Sequence, residues 1–212
     1  MPDWGKIYQS LEAPLHLDIG CARGRFILEM AQQFPERNFL GIEIRDPLVG
    51  DANQIRDELG LTNLHYLFAN INTSLQSLLD SLPTDKLAWV TIQFPDPWFK
   101  KRHQKRRVVQ PELVDILARH TPLDTIFFLQ SDVEEVALEM RENFLEHESF
   151  HLAHGDFWLA ENIFPVPTER EIATQNKGQP VYRVLLRKDS WFTKKTPPEE
   201  SCDTRGNSLV DR

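Results

Sequence analysis

Cysteine is nearly absent from this chain, with two in 212 residues, Cys21 and Cys202. That excludes a disulfide framework and points to a reducing compartment. Long apolar runs are missing as well, and none approaches the ~18 residues that a membrane-spanning helix requires. The opening stretch MPDWGKIYQS lacks the basic start and apolar centre of a secretory signal. A cytoplasmic protein without membrane contact is therefore expected. Positive charge is in deficit: 24 Lys and Arg stand against 32 Asp and Glu, a net charge of -8. Proteins that bind polyanions over a broad surface carry a basic excess, so any contact with nucleic acid here must be local.

One place breaks the deficit. In FPDPWFKKRHQKRR, residues 94–107, six of the last eight side chains are Lys or Arg. Most charge runs are solvated faces. This one stands directly behind an apolar proline turn, which sets it apart.

Strand-like and helix-like segments alternate along the chain. LHLDI (15–19), NFLGIEI (38–44), LHYLFA (64–69), KLAWVTIQF (86–94) and DTIFFLQ (124–130) are short apolar runs that predict strands. Helices are predicted over 25–34, 47–59, 74–82, 111–120 and 132–146. The stretches 150–158 and 180–187 are expected to be closing strands. Repeated strand–helix units imply an α/β, Rossmann-like fold: a mostly parallel central sheet with helices on both faces and an antiparallel closing strand. Residues 1–192 form one domain in this reading. The polar tail 193–212 is expected to be disordered.

Ligands of such sheets bind beyond the carboxyl ends of the strands. In LDIGCARGRF, Gly20 and Gly24 allow a tight turn and a close approach to a ligand. Glu43 ends the next strand, where an acid accepts hydrogen bonds from ribose hydroxyls. A dinucleotide site would place a second glycine at Ala22 to seat a pyrophosphate. S-adenosylmethionine has no phosphates and needs none. Asp18 would repel a pyrophosphate but suits the ammonium of that cofactor, and Asn70 can hydrogen-bond an adenine edge. The acids therefore favour the cationic methyl donor.

The segments DIGCARGRF, GIEIR, FPDPWFKKRHQKRR, QSDVE and TEREIATQNKGQPVYR resemble the bacterial tRNA (guanine-N7)-methyltransferase family, a class I S-adenosylmethionine-dependent group. The first two are generic to the superfamily, and the third is specific to the family. The resemblance implies transfer of a methyl group to N7 of a guanine in tRNA, in the variable loop. It places the catalytic carboxylate at Asp96, beside the cofactor. Pro95 and Pro97 make that turn rigid and non-helical. Lys100 is expected to touch the target nucleotide. Arg102, His103, Gln104, Lys105, Arg106 and Arg107 are expected to hold the RNA backbone, since phosphate contacts supply affinity and register. Asp132 and the segment Thr168, Glu169, Arg170 and Glu171 are implied to contact substrate. Capping boxes are also predicted there, Ser131 with Glu134 and Thr168 with Glu171.

The chain departs from the family pattern at four positions. Arg170 replaces a usual Tyr, Ala22 a usual Gly, Phe99 a usual Pro, and Asn70 a commoner Asp. His147, His151, His154 and Asp156 have a spacing that invites a metal, but methyl transfer to N7 needs none, and exposed polar positions are expected. Two alternatives stay open: an N-methyltransferase for another nucleic acid or a protein, and a non-catalytic RNA-binding module. The second predicts loss of Asp18, Glu43 or Asp96, and all three are present. The chain is expected to act as a monomer or a homodimer.

Overall fold

A computed structural model describes residues 2–189; the tail 193–212 lies outside them. Seven strands form one sheet: β1 (Leu15–Ile19), β2 (Asn38–Glu43), β3 (Leu64–Phe68), β4 (Leu87–Gln93), β5 (Ile126–Ser131), β6 (Phe150–Leu152) and β7 (Tyr182–Lys188). Their order is β3-β2-β1-β4-β5-β7-β6. β1 to β5 run parallel, and β7 is antiparallel to both of its neighbours. Every residue of β1 and β2 is buried. Strands covered on both faces are mostly apolar, and in LHLDI and NFLGIE the buried exceptions are His16, Asp18, Asn38 and Glu43.

Helices cover both faces. α2 (Arg25–Gln33) and α3 (Asp46–Glu58) pack on one side through Phe26, Ile27, Met30, Val49 and Ala52, against Phe39, Tyr66 and Phe128. α4 (Ile71–Ser81), α5 (Pro111–His120) and α6 (Glu134–Leu145) cover the other, together with Trp4 and Tyr8 from the short α1 (Trp4–Ile7) and the residue beyond it. The chain changes direction across the sheet between β1 and β4, and a crevice opens beyond their carboxyl ends. α7 (Glu169–Asn176) and a 3-10 turn, Lys101–Arg106, flank it.

Three expectations are corrected. The closing strand expected over 150–158 ends at Leu152. Gly155 and Asp156 lie in irregular chain, and Trp158 packs on the Tyr182 ring instead, centroids 5.3 Å apart. The Ser131–Glu134 capping box does not form. α6 starts at Glu134 behind Val133, and the Ser131 hydroxyl accepts the Val133 N–H at 3.1 Å. The Thr168–Glu171 box forms by half. Thr168 Oγ1 accepts the Glu171 N–H at 3.1 Å, but the Glu171 carboxylate turns into the core.

Candidate active site

The crevice is a cavity of about 1120 Å³ lined by Asp18, Gly20, Glu43, Asn70, Asp96 and Asp132, and by Thr168, Glu169 and Arg170. That volume slightly exceeds the ~300–1,000 Å³ of a typical ligand pocket, which leaves room for a cofactor and a base together.

Its floor is the turn after β1. Gly20 (φ +81°) has nothing within 4 Å of where a Cβ would stand, so a ligand can approach its backbone closely. Gly24 (φ +71°) is required for a different reason. A Cβ there would lie 2.3 Å from the Tyr66 ring, whose hydroxyl donates to the Gly24 carbonyl at 2.7 Å. Between them Ala22 also adopts a left-handed backbone, φ +52°. The usual glycine at this position is therefore a conformational requirement that this chain meets with strain.

Asp18 is buried. Burial pushes its pKa up to about 6, the Thr91 hydroxyl and the nearby Gln93 amide oppose the shift, and the Glu43 charge adds to it. Thr91 Oγ1 donates to Asp18 Oδ1 at 2.6 Å. Its oxygen therefore accepts from His16 Nε2 at 3.0 Å. Burial lowers the His16 pKa to about 3, so this ring stays neutral. Sequence motifs do not single out His16 or Thr91. The available signal is a polar residue inside each of two mostly apolar strands.

Glu43 is buried and densely bonded. Its Oε1 accepts the Ile44 and Arg45 N–H groups at 2.9 and 3.0 Å, and Oε2 accepts that of Ala22 at 3.0 Å. The Arg45 guanidinium adds two bonds, at 2.9 and 3.2 Å. Arg45 is 61% exposed, so this part of the arrangement is the movable one. Asn70 caps α4 through the Asn72 N–H, at 3.2 Å, and stands exposed at the rim.

Asp96 is exposed on the turn after β4. Phe94 (φ +49°) and Trp98 (φ +43°) bracket the turn with left-handed backbone, a conformation that concentrates at functional sites. Arg106 stacks over the Trp98 ring at 5.2 Å, and His103 meets its edge at 5.7 Å. Lys100, Arg102 and Lys105 stand in solvent. On the opposite wall Arg170 donates to Asp132 at 2.8 Å through Nε, and Arg25 pairs with Glu169.

Arg107, expected to hold the RNA backbone, is turned inward: it is buried, its Nε donates to the Pro97 carbonyl at 2.8 Å, and its guanidinium pairs with Glu135 and Glu139 of α6. Gln104 is also drawn to Glu135, at 3.2 Å. Glu171, expected to contact substrate, also points inward. It is buried, paired with Arg183 at 2.7 Å, and accepts from Gln130 and Asn162 at 3.1 and 2.7 Å. His147, His151 and His154 do not gather into a metal-binding group among the described residues.

Acids therefore lie on the floor of the crevice, and the rim carries exposed arginines on a basic turn. A family model described as "Putative methyltransferase" matches residues 12–184. A tRNA (guanine-N(7)-)-methyltransferase of Microcystis aeruginosa is 64% identical over 186 residues, 88% of each chain. The chain belongs to this family. A second member, from Trichormus variabilis, is 60% identical over 89% of this chain and 87% of its own. The fold extends more widely: the 16S rRNA methyltransferase KamB superposes with a TM-score of 0.59 at 16% identity, over 87% of this chain and 90% of that one.

Proposed function

We propose that the chain transfers the methyl group of S-adenosylmethionine to N7 of a guanine in tRNA, in the variable loop. The observation that carries this reading is the junction at Asp96. There an acid-floored crevice meets a basic turn across a rigid Pro-Asp-Pro rim. Its relatives bear the name of that activity.

When bound, S-adenosylmethionine supplies a methyl on a sulfonium, whose electron pair stays on sulfur as the N7–CH3 bond forms. The donor set suits that cation. Ionised Asp18 would hold its ammonium, and the open side of Gly20 would let it approach the backbone. Glu43 would accept from its ribose hydroxyls, with exposed Arg45 giving way. Asn70 would hydrogen-bond its adenine edge.

Guanine N7 carries a lone pair and no proton, so no base is needed to unmask it. Alignment with the methyl and exclusion of water lower the barrier. Positive charge grows on the purine as the bond forms, and the Asp96 carboxylate offsets it. Arg102, Lys105 and Arg106 hold phosphates, and Lys100 reaches the target nucleotide. Arg170, with Asp132 behind it, lines the far wall. In this reading the chain acts in the cytoplasm as a monomer or a homodimer. No described helix is long and apolar enough to cross a membrane.

The test is to incubate the protein with labelled cofactor and unmodified tRNA, then map the modified base. Label at guanine N7 is expected, and Asp96→Asn should lower kcat by about a hundredfold with the fold intact. Transfer to an exocyclic nitrogen would refute the reading.

A further inference from the structure

We propose that Arg107 is a positioning residue that braces the Pro95–Trp98 turn, and with it Asp96, against α6. The proposal rests on the reading that Asp96 acts in methyl transfer.

The turn has few means of bracing itself. Pro95 and Pro97 have no N–H to donate. Phe94 and Trp98, at its two ends, hold left-handed backbone that relaxes unless its surroundings fix it. Arg107 supplies that fixing. Its Nε donates to the Pro97 carbonyl at 2.8 Å, one residue beyond Asp96. Its Nη2 reaches Glu135 at 2.8 Å, and its Nη1 reaches Glu139. These carboxylates are 28 and 32 residues away in sequence, on a helix anchored to the sheet by Val136, Ala137, Met140 and Phe144.

A planar guanidinium can hold a carbonyl and two carboxylates at once, which an ammonium cannot do in that geometry. The side chain is 4% exposed. To reach a phosphate it would leave two carboxylates unpaired and release the turn. The last residue of the basic run thus belongs to the catalytic rim and not to the RNA-holding face.

Arg107→Lys keeps the charge and loses the fork. We expect kcat on tRNA to fall by on the order of tenfold to a hundredfold, as for a small misplacement of a reacting group. The Kd for tRNA and the slope of its salt dependence should stay at wild-type values. Hydrogen exchange at the Phe94 amide, which donates to the Gln130 carbonyl at 2.7 Å at the foot of the turn, should accelerate, with the rest of the sheet unchanged. Weaker tRNA binding with a shallower salt slope would overturn the proposal, and so would unchanged kcat and exchange. If Arg107→Lys does not fold, Glu139→Gln is measured in the same way, and the same results support or overturn the proposal. Failure of the parent reading looks different: Asp96→Asn would then retain turnover, while exchange at the turn would still respond to Arg107.

Discussion

Asp18 lies near the end of an otherwise apolar run and is held there by Thr91, itself backed by a neutral His16. In its proposed role beside the cofactor's ammonium, a pKa raised to about 6 ties cofactor affinity to pH. The carboxylate form is the one that attracts an ammonium, so affinity for S-adenosylmethionine should rise as pH climbs through about 6 and level off above it. Calorimetric titration between about pH 5 and pH 8 checks this, and Asp18→Asn should flatten the profile. The stability term has the opposite sign. With its folded pKa above the ordinary carboxylate value, Asp18 favours the folded state at low pH, and that contribution is lost as pH rises through about 6. Ala22 gives a second test. Left-handed backbone costs it about 1–2 kcal/mol, of which glycine's freer unfolded chain takes back about 0.4–1 kcal/mol. Ala22→Gly should raise Tm by roughly 2–4 °C in a thermal melt. Asp18, Glu43 and Asp96 are legible in the sequence because each is an acid at or just past the end of an apolar strand. Arg107 and Glu171 are not, because a charge in sequence does not disclose which way it points.

The 3-10 turn explains the division of the basic run at the scale of an element. Three residues per turn place i and i+3 on one side. Gln104 and Arg107 share a side and both reach α6. His103 and Arg106 share another and both meet Trp98. Arg102 and Lys105 are left on the third, in solvent. The run is thus split three ways, and the proposed phosphate contacts fall to its outward face. Arg102→Ala and Lys105→Ala should each weaken tRNA binding and reduce the slope of log Kd against log salt by about 1. A filter-binding series over salt measures it, and an unchanged slope would remove that residue from the interface. Strands and helices are legible because their periods of 2 and 3.6 repeat over several residues. The six-residue 3-10 turn is too short to announce its period.

Across the whole molecule, an acidic body carries one basic rim beside an acid-floored crevice. Under the proposed function such a charge distribution attracts RNA to the rim and repels it from the acidic surface, so the net charge of -8 and the affinity for a polyanion do not conflict. The sequence by itself determined the α/β class, the place of the glycine turn after β1, and the adjacency of Asp96 to a basic run. These depend on local periodicity and on the residues just past each strand, and local order is written in neighbouring residues. Only the tertiary structure decided that Arg107 and Glu171 are inward struts and that Arg45 covers Glu43. It also decided that Ser131 serves a turn and not a capping box. A side chain's direction is set by partners that folding brings up from far along the chain, such as Glu135 and Glu139 for Arg107. For a charged group the geometry of those partners, more than its own identity, separates a brace from a binding contact.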